Sequence, residues 1–234
     1  MNKKKLTAAL LGTAMIGGLL VQAIPAAATV VSQGTTDGSI GFTGHTPLPL
    51  PNDELDLIWY PTAFEFGNSN ANTTAAKTYS ATNGATKYLV VRDNREAIVA
   101  GGGTLGTATD TGEWKLTAEA TALADGATTL TGASYSFTSN ALKSYVSASG
   151  QDTEVPESAG AITATSPGPA TVPTNISIPA DGSTSVEIMK TTATATDGKY
   201  AAELNNIQLK VPANTSQDGK QYAGTITWSL DDTI

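Results

Sequence analysis

Glu113-Trp114-Lys115-Leu116-Thr117-Ala118-Glu119-Ala120 decides the fold, together with Thr225-Ile226-Thr227-Trp228-Ser229-Leu230-Asp231, whose Trp lies 114 positions further on. In both stretches apolar and polar residues alternate with the period of two that a half-buried strand requires. Trp114, Leu116, Ala118 and Ala120 share one face, and Lys115, Thr117 and Glu119 the other. In the second stretch Tyr222, Gly224, Ile226, Trp228 and Leu230 share a face, opposite Thr225, Thr227, Ser229 and Asp231. Two environments suit an indole on such a face. It can pack in a core, or it can line a partly exposed groove where the ring stacks on a sugar and the N–H holds a ligand. The candidate ligand-binding residues are therefore Trp114, Leu116, Tyr222, Trp228 and Leu230, with core packing as the competing assignment.

Outward from these stretches the same kind of segment recurs. Short alternating or apolar runs predict strands at Ser39–Thr43, Leu55–Tyr60, Ala76–Ala81, Lys87–Arg92, Trp114–Ala120, Leu130–Thr138, Ala161–Thr165, Ile176–Ile178, Ser185–Thr191, Ile207–Val211 and Tyr222–Leu230. Asn83-Gly84, Asp125-Gly126, Asp181-Gly182, Asp197-Gly198 and Asp218-Gly219 mark turns between them. Many short strands with Asx-Gly turns predict an all-β chain, an antiparallel β-sandwich or barrel-like single domain with long loops. Ala141–Ser149 and Tyr200–Asn206 could each form a short helical turn. Gln151–Asn175 holds Pro156, Pro167, Pro169 and Pro173, and is expected to be a Pro-rich internal loop over 152–175, pairing briefly near Ile162.

Composition excludes whole classes of chemistry. Among 234 residues there are 13 Lys and Arg, 21 Asp and Glu, one His and no Cys, for a formal charge of −8. Without Cys there is no disulfide framework, zinc knuckle, iron–sulfur cluster or thiol nucleophile. A single His45 rules out a multi-histidine metal site, and the acidic balance is the wrong footprint for nucleic acid. Gly101, Gly103 and Gly106 spell G-x-G-x-x-G, but Thr107-Ala108-Thr109-Asp110 is a poor helix start, so a flexible loop is expected. Asp93, Arg95 and Glu96 are expected to form a charged surface turn. Asn72, Asn175 and Asn214 begin Asn-x-Ser/Thr triplets, all expected in turns. No catalytic residue, metal or cofactor is expected.

Lys3, Lys4 and Lys5, the apolar Leu6–Ile24 run and the small residues of Pro25-Ala26-Ala27-Ala28 predict a signal peptide over residues 1–28. Its removal takes three basic residues and no acid, leaving residues 29–234 with ten basic and 21 acidic groups and a formal −11. No later stretch is apolar enough to span a membrane. The end, Asp231-Asp232-Thr233-Ile234, has no apolar tail followed by basic residues, so any surface attachment is expected to be non-covalent.

At this point the chain resembles a known family. Both Trp-x-Leu motifs are similar to those of the WxL surface proteins of Gram-positive bacteria. Ser39-Ile40-Gly41-Phe42 resembles the family's opening strand, and Phe64-Glu65-Phe66-Gly67, after Pro61, its phenylalanine-glycine motif. Val90-Val91-Arg92-Asp93-Asn94-Arg95 resembles the segment before the first motif, and Val211 through Leu230 the closing segment. The ending departs from the usual aspartate-alanine-proline finish. The resemblance implies a non-enzymatic secreted protein of the cell surface that binds peptidoglycan in the cell wall. It also implies partners: other WxL proteins and a membrane-anchored WxL-interacting protein, in complexes linked with adhesion. The alternative function is an interaction protein that binds a partner surface protein by strand addition, without direct glycan contact.

Overall fold

A computed structural model describes residues 29–37, 55–72, 74–94, 113–146, 152, 154–165, 168–191 and 198–232. The strand expected at Ser39–Thr43, His45, Gly101, Gly103, Gly106, Arg95, Glu96 and the predicted signal peptide lie outside those residues. The described residues form strands and no helix. In chain order they are β1 (Thr29–Asp37), β2 (Leu55–Trp59), β3 (Lys77–Ser80), β4 (Thr86–Asp93), β5 (Trp114–Ala120), β6 (Ala124–Asp125), β7 (Thr128–Thr129) and β8 (Ser134–Ser139). They continue as β9 (Lys143–Tyr145), β10 (Ile162–Thr163), β11 (Ala170–Thr171), β12 (Asn175–Pro179), β13 (Val186–Thr191), β14 (Gly198–Val211) and β15 (Thr225–Asp232).

Two antiparallel sheets face each other, and neither closes on itself, so the sandwich alternative holds rather than the barrel. The first runs β1-β15-β5-β13-β11. Here the two Trp-x-Leu strands are neighbours: Leu230 lies opposite Leu116, and Trp228 opposite the small Ala118. The second sheet is built on the 14-residue β14, with β4 and β3 along one side and β9 and β8 along the other. Tyr200, Ala202 and Leu204 of β14 point into the main core, and so do Ile207, Leu209 and Val211. The inward parity therefore switches along one strand. A bulge makes the switch: the register against β8 slips between Asn205 and Gln208, and Asn206 sits at φ 47°. Asn tolerates that left-handed conformation, and one extra residue turns every later side chain over. Its Nδ2 donates to Thr138 Oγ1 across the bulge at 3.0 Å.

The structure corrects the two expected helical turns. Tyr200–Asn206 lies within β14, and Lys143–Tyr145 is β9. Ala, Glu and Leu favour helix weakly, but Ala201 packs in a second cluster on the outer face while Tyr200 and Ala202 pack in the main core. Burial on both faces outweighs local propensity. Asn175 opens β12 rather than a turn. The Pro-rich segment contributes β10 to the second sheet and β11 to the first.

A buried charge cluster holds the start of that segment. Arg92 of β4 reaches Asp152 at 3.1 Å and Asp56 of β2 at 3.9 Å. Lys199 also binds Asp152, and its ammonium lies 5.7 Å from the centre of the Tyr145 ring. The Tyr145 hydroxyl donates to the Glu154 carbonyl at 2.6 Å. Asp93, expected on a surface turn, is buried at the end of β4 because β2 and β14 pair on either side of it.

Gly34 of β1 passes over the Tyr60 ring so closely that an added Cβ would lie 2.7 Å from a ring carbon. An aromatic ring packed on the core cannot swing aside as a long flexible chain could. Gly34→Ala should therefore destabilise the fold by about 1–3 kcal/mol, measured by chemical denaturation.

Candidate functional site

The five residues singled out by the Trp-x-Leu pattern separate into two places. Trp114, Leu116, Trp228 and Leu230 have no exposed surface, all on the inner face of the first sheet. The Trp114 ring meets Tyr200 of the opposite sheet edge-on, centroids 5.4 Å apart at 71°, which ties the layers together. The Trp114 backbone N–H donates to Thr191 Oγ1 at 3.0 Å, while its indole N–H is buried without a partner. Side chains sealed in this way cannot stack on a sugar. Of the two environments open to these four, they occupy the core, because two apolar sheet faces close over them. Tyr222 lies elsewhere: it precedes β15 and lines an open groove at one end of the sandwich.

That groove encloses about 830 Å³. One wall is residues 64–72. Phe64 is its buried anchor, packed on Phe137 with centroids 5.3 Å apart, and the half-buried Phe66 leans on Tyr135 at 6.0 Å. Asn83, from the one expected Asn-Gly turn, clamps this wall from behind. Its Oδ1 accepts from Glu65 N–H at 3.2 Å and its Nδ2 donates to the Ala63 carbonyl at 2.9 Å. Gly67 turns the chain at φ 84°, which lets Asn70 Nδ2 donate to the Phe66 carbonyl at 2.7 Å.

The other wall is residues 216–223, which turn at Asp218-Gly219. Asp125, on the small β6–β7 hairpin, accepts from Gln221 N–H at 2.8 Å, and Lys220 Nζ approaches the same carboxylate at 3.5 Å. Ala124 and Ala223 exchange backbone hydrogen bonds at 2.8 and 2.9 Å. Across the mouth Ser216 Oγ donates to Asn72 Oδ1 at 2.5 Å, joining walls 144 residues apart in sequence. The floor is Tyr79 of β3, Tyr135 of β8, Leu123, Leu130, and Leu209 and Val211 of β14.

The chemistry of the lining is mixed and nearly neutral. Only Glu65, Asp218 and Lys220 are charged among its residues, and the rim is otherwise Asn, Ser, Thr and Gln. Burial pushes the Tyr135 hydroxyl pKa upward, so it stays protonated. The Tyr222 hydroxyl is buried with no hydrogen-bond partner. The Gln221 N–H, aided by the Lys220 charge, holds the Asp125 carboxyl below its usual range. A lowered acid pKa means that this tether is complete above about pH 4 and is lost as the pH falls further. The protection of the Gln221 amide, its exchange rate relative to an unstructured peptide at the same pH, should therefore fall below about pH 4, and Asp125→Asn should show reduced protection at neutral pH already.

The sequence marks Tyr222 on the strand face of Trp228, whereas Tyr222 lines this groove without Trp228, and the sequence does not mark Phe66, Tyr79 or Asn72 as groove residues. Phe64-Glu65-Phe66-Gly67 was the available signal, since aromatic residues beside an Asn- and Ser-rich stretch suit a binding wall.

Residues 30–233 match the model of the family described as WxL domain surface cell wall-binding. The chain belongs to that family. No curated protein and no solved structure shows significant similarity to it. Membership places it at the cell surface, associated with the cell wall.

Proposed function

We propose that the chain attaches non-covalently to peptidoglycan through the groove between residues 64–72 and 216–223, as a component of a surface protein complex and without catalysis. The observation that carries this is the groove's lining, half-buried aromatic rings under a rim mostly of neutral amides and hydroxyls. Aromatic faces and neutral hydrogen-bonding groups suit carbohydrate, whose ring faces are apolar and whose edges are polar. Of the five residues marked by the Trp-x-Leu pattern, Tyr222 contacts the ligand, and Trp114, Leu116, Trp228 and Leu230 support the sheet behind it. The family's other WxL proteins and a membrane-anchored WxL-interacting protein remain the proposed protein partners.

Charge sets the character of the attachment. At −11 without residues 1–28, the chain is repelled by anionic wall polymers, so attachment rests on hydrogen bonds and ring contacts. Pelleting with purified peptidoglycan should persist after anionic polymers are stripped, and at about 0.5 M NaCl, where the Debye length is roughly 4 Å. Loss of pelleting at that salt contradicts the proposal. Labelled peptidoglycan should release no soluble product.

A second function has its own observation. Among the described strands β3 pairs only with β14, leaving an exposed edge beside the groove that a partner's strand could extend. Capture of a partner ectodomain with no binding to bare peptidoglycan would favour it.

A further inference from the structure

We infer that the groove reads the acetamido group of an N-acetylated sugar, an inference that rests on the wall-binding function above and names the part of the wall the groove takes. Two observations among the residues that line the groove carry it. The first is the Tyr222 hydroxyl, buried and without a partner. A buried donor left unpaired bears its full desolvation penalty, and such groups in native proteins call for an explanation. The second is the floor, where Leu123, Leu130, Leu209 and Val211 offer apolar contact. An acetamido group carries a hydrogen-bond acceptor and a methyl on the same carbon, so one substituent answers both surfaces. The hydroxyl is shielded from water, so the acceptor reaches it by pressing in from the groove and shifting the tyrosine ring.

Charge separates this ligand from the other chemistry of the wall. A carboxylate of a stem peptide would meet Glu65 and Asp218, with Lys220 already drawn to Asp125. A free amino sugar offers an ammonium, which cannot accept from Tyr222 and loses hydration over an apolar floor. Of these three groups the neutral amide is the one that suits both the hydroxyl and the floor. Asn72–Ser216 across the mouth and the Asn83 and Asp125 clamps behind the walls fix the backbone of the groove, which confines the rearrangement on binding to the Tyr222 ring.

The test is calorimetric titration of the secreted chain with a tetramer of β-1,4-linked N-acetylglucosamine, and with the same tetramer fully de-N-acetylated. About 0.5 M NaCl screens the attraction of the cationic oligomer to the acidic chain. The acetylated tetramer should bind and the deacetylated one should bind at least tenfold more weakly. Tyr222→Phe should weaken the acetylated tetramer roughly tenfold, the worth of one hydrogen bond, with a melting temperature equal to or above that of the parent. Equal binding of both oligomers overturns the inference, and so does Tyr222→Phe with parental affinity. Absence of oligomer binding while peptidoglycan still pellets the chain overturns it and leaves wall attachment standing. Absence of both overturns the wall-binding function with it.

Discussion

Trp228→Ala and Trp114→Ala should each lower the unfolding free energy by about 3–5 kcal/mol. Both indoles are wholly buried between the sheets, and their strands are adjacent in one sheet. Truncating Trp228 opens a cavity beside Ala118, Leu116 and Leu230, and the Ala at its cross-strand position has no bulk to fill it. Truncating Trp114 removes the edge-on contact to Tyr200, one of the links between sheets. Domains of this size commonly have 5–15 kcal/mol of stability in total. The double variant should therefore be unfolded at 25 °C. The conservative changes separate packing from the indole N–H. Trp114→Phe should cost clearly less than Trp114→Ala, because the ring contact survives in part and a buried, unpartnered N–H is removed. Urea titration with circular dichroism measures all of these. A truncation that costs under about 1 kcal/mol contradicts the core assignment.

Arg92→Ala should be the second severe change, at about 3–5 kcal/mol. The guanidinium is buried on the outer side of the second sheet, between Asp56 of β2 and Asp152 of the Pro-rich segment. Removing it leaves the nearly buried Asp56 carboxylate without that cation. Asp152 retains Lys199, so the segment is loosened rather than released. Asp152→Ala removes the anion shared by both cations and should expose the chain around Glu154 to proteolysis before global unfolding. The exposed Glu187–Lys190 pair is the control: its loss should change stability by at most about 0.5 kcal/mol.

What could be read in the sequence was whatever repeats locally. The β5 alternation from Trp114 to Ala120 reports its two faces without ambiguity, and the strand occupies those residues. Alternation says which side chains share a face but not what covers the face. That is why Trp228 suited a core and still left a groove open as the alternative, while Tyr222, placed on the same face, lies before β15 begins and lines the groove wall. The long β14 was split because the Asn206 bulge breaks its parity, which reads as the end of one element and the start of another. In β1 the Val30-Val31 pair is followed by mostly polar residues, so its strand follows from pairing with β15 rather than from its own pattern. The groove was least legible. Its walls are each loop-like in composition, and only the fold brings Asn72 within hydrogen-bond distance of Ser216.

The most direct measurement is peptidoglycan pelleting of two variants beside their thermal melts. Tyr222→Ala should lose pelleting while keeping most of the parental melting temperature. Trp228→Phe should melt lower yet pellet fully at a temperature where it is folded. The reverse pattern, Tyr222→Ala pelleting like the parent and folded Trp228→Phe failing to pellet, would place the ligand at the Trp-x-Leu strands and contradict the groove.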